Sequence, residues 1–148
     1  MDQENLHSDH QALWVNPKLN GHIVNGNDGG VNITYDDGKN WIKNNQPAVG
    51  QFYYINVDNQ KPYNVFGGLQ DNGVWFGSST NKPEVPWASL MGGDGMVVAV
   101  DTRSNDVIYT GFQFGNYFRI NTKTEERKLV TPGHDIGRAP NRWNWRTP

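Results

Sequence analysis

The chain has 148 residues, thirteen basic against fifteen acidic side chains and a formal net charge of -2. That is long enough for one globular domain with a real core, and it offers no electrostatic footprint for a polyanion, so nucleic acid is excluded as an expected partner. There is no cysteine, which removes disulfides, thiolate metal sites and cysteine nucleophiles together and leaves the compartment open.

Six Trp, six Tyr, six Phe, seventeen Gly and eight Pro predict short half-buried strands punctuated by tight turns, an all-β chain. Residues 1–10 are polar and hold no apolar run of signal-peptide type, and no stretch of the sequence is apolar enough for a membrane span. Because Met1 runs almost directly into a loop-like segment, the start reads as a boundary that has cut away an earlier piece. A secreted or periplasmic parent is compatible with this, and the sequence does not fix the location.

From residue 10 onward one pattern recurs with a period of about 43 residues: strand, Pro or Asp turn, strand, Gly-rich turn, strand. The first copy runs Ala12-Leu13-Trp14-Val15-Asn16-Pro17, His22-Ile23-Val24-Asn25-Gly26 and Asn27-Asp28-Gly29-Gly30-Val31. The second runs Tyr54-Ile55-Asn56-Val57-Asp58, Asn64-Val65-Phe66-Gly67-Gly68 and Gln70-Asp71-Asn72-Gly73-Val74. The third runs Val98-Ala99-Val100-Asp101, Val107-Ile108-Tyr109-Thr110-Gly111 and Gln113-Phe114-Gly115-Asn116-Tyr117.

A fourth strand per copy is predicted around Trp41-Ile42, Trp87-Ala88-Ser89-Leu90 and Lys128-Leu129-Val130. Four strands per forty-odd residues is the size of a β-propeller blade. The expected architecture is therefore all-β, about three four-stranded antiparallel blades at 10–45, 51–91 and 96–130 forming a partial ring. Residues 131–148, with Arg142-Trp143-Asn144-Trp145, are expected to enter a further blade. Three blades leave two sheet faces to be covered, by other copies of the chain or by the remainder of a larger propeller.

Thr34-Tyr35-Asp36-Asp37-Gly38-Lys39-Asn40-Trp41 fits Ser/Thr-x-Asp-x-Gly-x-x-Trp, with Asn40 where Thr is commoner. Its chemistry is local: Asp36 accepts turn amides, Gly38 takes positive φ and Trp41 wedges between sheets, a role of scaffold and not of catalysis. This is the Asp-box pattern. With His7-Ser8-Asp9-His10, Gly26-Asn27-Asp28-Gly29-Gly30, Gly67-Gly68-Leu69-Gln70-Asp71-Asn72-Gly73 and Gly92-Gly93-Asp94-Gly95, almost the whole chain resembles sortilin-like, BNR-repeat propeller proteins of the bacterial glycosyl-hydrolase-like type. The resemblance implies propeller blades similar to those of xyloglucanases and sialidases, and it speaks of architecture more than of chemistry. An Arg triad with a Tyr nucleophile, as sialidases require, is not seen, nor is a cysteine-rich module.

In a four-stranded meander the links entering each blade share an end with the second-to-third strand turns. That places His7, Asp9, His10, Gln51, Asp94, His134 and Asp135 together with Asn27, Asp28, Gln70, Asp71, Asn72, Gln113 and Asn116, with Phe52, Tyr53, Trp75 and Phe114 nearby. Such a face suits a polar ligand with apolar faces, a glycan above all, or an extended peptide. Its candidate ligand-binding residues are His7, Asp9, His10, Asn27, Gln51, Gln70, Asn72 and Gln113.

For Asp28, Asp71 and Asp94 turn chemistry is one reading, because Asp-Gly and Asp-Asn-Gly are hairpin signals. The other makes two of them a general acid and base across a glycosidic bond. A propeller-type binding module is the leading expectation, a glycoside hydrolase of the xyloglucanase-like kind the alternative, and a structural oligomerisation module the third. His7 and His10 in a loop do not make a metal site, no EF-hand series is present, and neither a metal nor a cofactor is expected.

Overall fold

The computed structural model describes residues 6–44, 49–82, 85 and 87–147. All regular structure among them is β, three four-stranded antiparallel sheets, and no helix is long and apolar enough to cross a membrane. The chain divides into two compact units, Met1–Val49 with one sheet and Gly50–Pro148 with two. Residue 45, expected to end the first blade, lies outside the described residues, as do 1–5 and 148.

The first unit orders β1 (His10–Val15), β2 (Ile23–Asn27), β3 (Gly30–Thr34) and β4 (Ile42–Asn44) as a simple meander. Asn16 starts the first turn by accepting the Lys18 amide at 2.9 Å, the Asx geometry that lets a short amide side chain replace a backbone partner. The register sets Trp14, Val24, Ile33 and Ile42 in one cross-strand row and Leu13, Asn25, Asn32 and Lys43 in the next. Because side chains alternate across a strand, these two rows face opposite ways.

The buried side chains among the described residues of this unit are polar: Asn25, Asn27, Asn32 and Thr34 are each at most 9 % exposed, whereas Trp14 is 50 % and Ile42 60 % exposed. Asn27 makes the interior tolerable by donating from one Nδ2 to the Asn25 and Asn32 side-chain oxygens, both at 2.8 Å. Asn25 in turn donates to the Ala12 carbonyl. Satisfied amides can be buried at little net cost, unsatisfied ones cannot. Asn32 opens a formal glycosylation sequon, but at 1 % exposure its amide is inaccessible.

The second unit contains β5 (Phe52–Val57), β6 (Asn64–Leu69), β7 (Gly73–Ser78) and β8 (Ala88–Met91) in one sheet. The other is built from β9 (Val98–Val100), β10 (Val107–Phe112), β11 (Asn116–Asn121) and β12 (Arg127–Leu129). Strands β9 and β10 lie against β5, β6 and β7, and the interface is an apolar core of Phe66, Val74, Leu90, Met91, Val98, Ile108 and Ile120. Phe66 stacks on Phe76 with centroids 5.5 Å apart. The two sheets approach closely at Gly68, where a Cβ would stand 2.2 Å from the Met96 carbonyl oxygen, so only a residue without a side chain fits.

The first turn of each sheet here is nucleated by an aspartate in the register of Asn16. Asp58, 3 % exposed, accepts the Gln60 and Asn64 amides and the Asn64 side chain. Asp101 accepts the Arg103 amide and both prongs of its guanidinium, and those bonds hold its carboxyl at about 2.

Residues 131–147 carry no strand. Arg142-Trp143-Asn144-Trp145, expected to be a strand, is instead loop docked on the β10–β11 turn. The Phe114 amide donates to the Trp145 carbonyl at 3.0 Å, and the Trp143 ring fills the space beside Gly115, where a Cβ would be 2.5 Å from Cε3. A single ladder bond with no neighbouring strand to continue it makes a docked loop and not a sheet.

Candidate functional site

In the first unit the segment before β1 lies on the β2–β3 turn. His7 Cβ and ring pack against Gly29, His10 Nδ1 lies 3.1 Å from the Asn25 side-chain oxygen, and Gln11 donates to the Asp28 carboxylate at 3.0 Å. Asp9 is exposed and takes a left-handed φ of 59°, a conformation that Asp and Asn tolerate better than other side chains. Asn27, buried, has its amide nitrogen committed to Asn25 and Asn32 and its oxygen to the Gly29 amide. It is an interior brace of the turn and presents little to a ligand.

At the other end of this sheet the Asp-box is a closed set of hydrogen bonds. Thr34 donates to Asp36 at 2.8 Å and accepts the Gly38 amide, while Asp36 accepts the Asn40 amide at 2.9 Å and the Asn40 side chain at 2.6 Å. The Asn40 side chain above all, with its backbone and with Thr34, holds the Asp36 carboxyl at about 2. Gly38 sits at φ +82° with the Trp41 ring 3.5 Å from where its Cβ would be. The Thr34 hydroxyl and both Asp36 oxygens are used to shape the turn.

The second unit brings more of the candidate residues together. The Asp94 carboxylate accepts the Asp71 amide at 3.0 Å, and the Asp94 amide donates to the Gln113 side chain at 3.0 Å. The backbone reinforces this, since the Gly73 amide donates to Gly93 and the Gly95 amide to Leu69. Asp71 and Phe114 hold φ of 58° and 61° at the tips of the two hairpins, and Gly73, two residues after Asp71, and Gly115, next after Phe114, also have positive φ. Asn116 donates to the Gln113 carbonyl at 2.7 Å and Asn72 to the Gln70 carbonyl at 2.9 Å. The link into the third sheet is thus bound to the turns on either side of it.

Beside these turns stands an aromatic corner. The Tyr53 hydroxyl donates to the Gln70 side chain at 2.6 Å, the Trp145 ring meets Tyr53 edge to face at 5.7 Å and 84°, and the Arg146 guanidinium lies 5.7 Å over the Tyr53 ring. Burial pushes the Tyr53 phenol above its ordinary value, the Asp94 and Asp71 carboxylates push the same way, and Arg146 opposes them. Both acids and the cation therefore act on one small volume. Gln51, His134 and Asp135 stand exposed, outside the hydrogen bonds of this cluster.

The turn residues were visible in the sequence as Asp-Gly and Asp-Asn-Gly signals. Trp145 and Arg146 as partners of Tyr53 were not, since nothing periodic links positions so far apart. Comparison of the chain with protein-family models, with curated proteins and with solved structures gives no match.

Proposed function

We propose that the three meanders are blades of a β-propeller of the sortilin-like, Asp-box type and that the chain is a binding module for a glycan. The common strand order, the turn residues Asn16, Asp58 and Asp101 in equivalent places and the Asp-box support the propeller reading. Rings of this kind need at least four blades, so further blades, from other copies or from the rest of a larger propeller, complete it. Light scattering on the chain is expected to show a discrete oligomer where copies close the ring.

The observation that carries the binding reading is the set Gln70, Asp71, Asp94 and Gln113 fixed beside Tyr53 and Trp145. Carboxylates and amides accept and donate to sugar hydroxyls, and aromatic faces take the apolar C–H face of a pyranose. Asp94 braces the Asp71 turn through its carboxylate, which favours a binder over a hydrolase that needs that carboxylate free for proton transfer.

Calorimetry against neutral oligosaccharides tests this, with reducing-end release measured in parallel. Binding without release, weakened by Asp94→Asn, is the expected result. Release abolished by Asp71→Asn or Asp94→Asn with binding retained would replace the binder by the hydrolase.

A further inference from the structure

The polar turns alone would leave the face of a sugar ring against water. The docked segment changes this. Three anchors hold it: the Phe114 amide on the Trp145 carbonyl, the Trp143 ring over Gly115, and the Tyr117 hydroxyl donating to the Thr147 carbonyl oxygen. They bracket Trp145 on both sides, so its ring has a fixed position that owes nothing to a ligand, and a preorganised aromatic loses little entropy on binding.

Trp145 nevertheless keeps 39 % of its surface exposed. What sets it apart from Trp14, which is also exposed, is its place: part of this indole is open beside Tyr53 and the Asp71 and Asp94 turns. The edge-to-face contact with Tyr53 covers only a portion of the pair. The charges in the corner select the ligand further: Asp71 and Asp94 are two negative groups and Arg146 one positive group acting on the same Tyr53. The remaining negative charge disfavours uronic and sialic acids and favours hydroxyl donors.

We propose that Trp145 is the stacking platform of this site, taking the apolar face of a neutral pyranose whose hydroxyls reach the Asp71–Asp94 turns, with Tyr53 and Arg146 as positioning residues. The proposal rests on the glycan reading and names its substrate class and its principal contact.

The test uses the full chain and two sets of probes: neutral β-1,4-linked hexasaccharides of glucose, xylose and mannose, and an α-1,4-galacturonate hexasaccharide. A neutral probe is expected to change tryptophan fluorescence on binding. Trp145→Ala should weaken it on the order of tenfold, the size of one lost aromatic contact, and Trp145→Phe should stay within about threefold because a ring face remains. Trp14→Ala, at an exposed tryptophan of the first unit, should leave affinity unchanged. Gly115→Ala, which would drive a Cβ into the Trp143 ring, should weaken binding with Trp145 itself intact.

Should Trp145→Ala fail to fold, Trp145→Leu, which keeps bulk without a π face, takes its place with the same expected loss. Wild-type binding that Trp145→Ala or Trp145→Leu leaves unchanged overturns the platform and leaves the glycan reading standing, as does an equal loss in Trp14→Ala or tighter binding of the galacturonate. Absence of binding by every probe overturns the glycan reading and the platform with it.

Discussion

The two units are built from the same four-stranded meander and are held together by different physics. In the second, two sheets close on Phe66, Val74, Val98, Ile108 and Ile120, and burial of aliphatic and aromatic surface is the main stabilising term. In the first, the buried side chains among the described residues are Asn25, Asn27 and Asn32, joined by short side-chain hydrogen bonds, and Thr34, bonded to Asp36, with apolar Trp14 and Ile42 largely exposed. A hydrophobic core tolerates approximate shape and fails by losing volume. An amide network tolerates no missing partner and fails when one donor is removed. Equivalent strand patterns in one chain therefore make different demands on their sequences.

The largest expected effect breaks the second unit. Phe66 is 2 % exposed and stacked on Phe76, so Phe66→Ala removes a whole ring from the core and should cost about 3–5 kcal/mol. Urea unfolding followed by amide hydrogen exchange is expected to show the loss in β5–β12 amides while those of β1–β4 keep their protection. A cost below about 1 kcal/mol would mean that the core is not close-packed and that the contrast between the units is unfounded.

The converse variant addresses the first unit. Asn27→Ala takes one donor away from the Asn25 and Asn32 side-chain oxygens, the first of which also faces His10, and the acceptor away from the Gly29 amide. Removing buried hydrogen bonds of this kind costs about 1–3 kcal/mol. Amides of β2 and β3 should lose protection and those of β6 and β10 should not. Loss of protection in both units alike would show that the network is no separate source of stability.

This division also explains what could be read from the sequence. Strand positions and the turns at Asn16, Asp58 and Asp101 were legible, because alternation and Asx chemistry act within a few residues. The fourth strands fall at β4, β8 and β12, where the sequence placed them. The Asp-box was legible for the same reason: the side-chain hydrogen bonds of Thr34 and Asp36 run to Gly38 and Asn40, all within one short turn. Asn27 reads as a polar turn residue and is in fact interior, since alternation predicts which side a residue faces and not whether that side is covered.

The 131–147 segment, expected to enter a further blade, carries no strand in this chain, and its conformation is decided elsewhere. The absence of a side chain at Gly115 makes room for Trp143, and the free amide of Phe114 captures Trp145. Neither cause leaves a periodic trace near Trp145. Of the candidate site, the turns were therefore legible and the aromatic wall was not. Positions that meet from far apart in the chain, such as Tyr53 and Arg146, are set by tertiary packing.

The smallest expected effect sharpens the comparison at a feature both units share, a turn carboxylate held low. Asp36 in the first unit and Asp101 in the second are each depressed from 3.8 to about 2, by the Asn40 and Arg103 side chains respectively above all. A depressed folded value means that the native state favours the ionised form. The contribution is complete above 3.8 and is lost as pH falls through about 2. Both groups are half-buried and their Asn40 and Arg103 partners are exposed, so screening keeps each effect small. Carboxyl-resolved NMR titration should place both midpoints near 2, and Asn40→Ala should move that of Asp36 upward while leaving Asp101 in place. Asp36→Asn should flatten the acid dependence of amide protection in β3 and β4 alone, and Asp101→Asn that in β9 and β10 alone. An Asp36 midpoint at 3.8 would mean that the Asp-box bonds are not maintained in solution, and the first unit would then rest on its asparagine network without a closed turn beneath it.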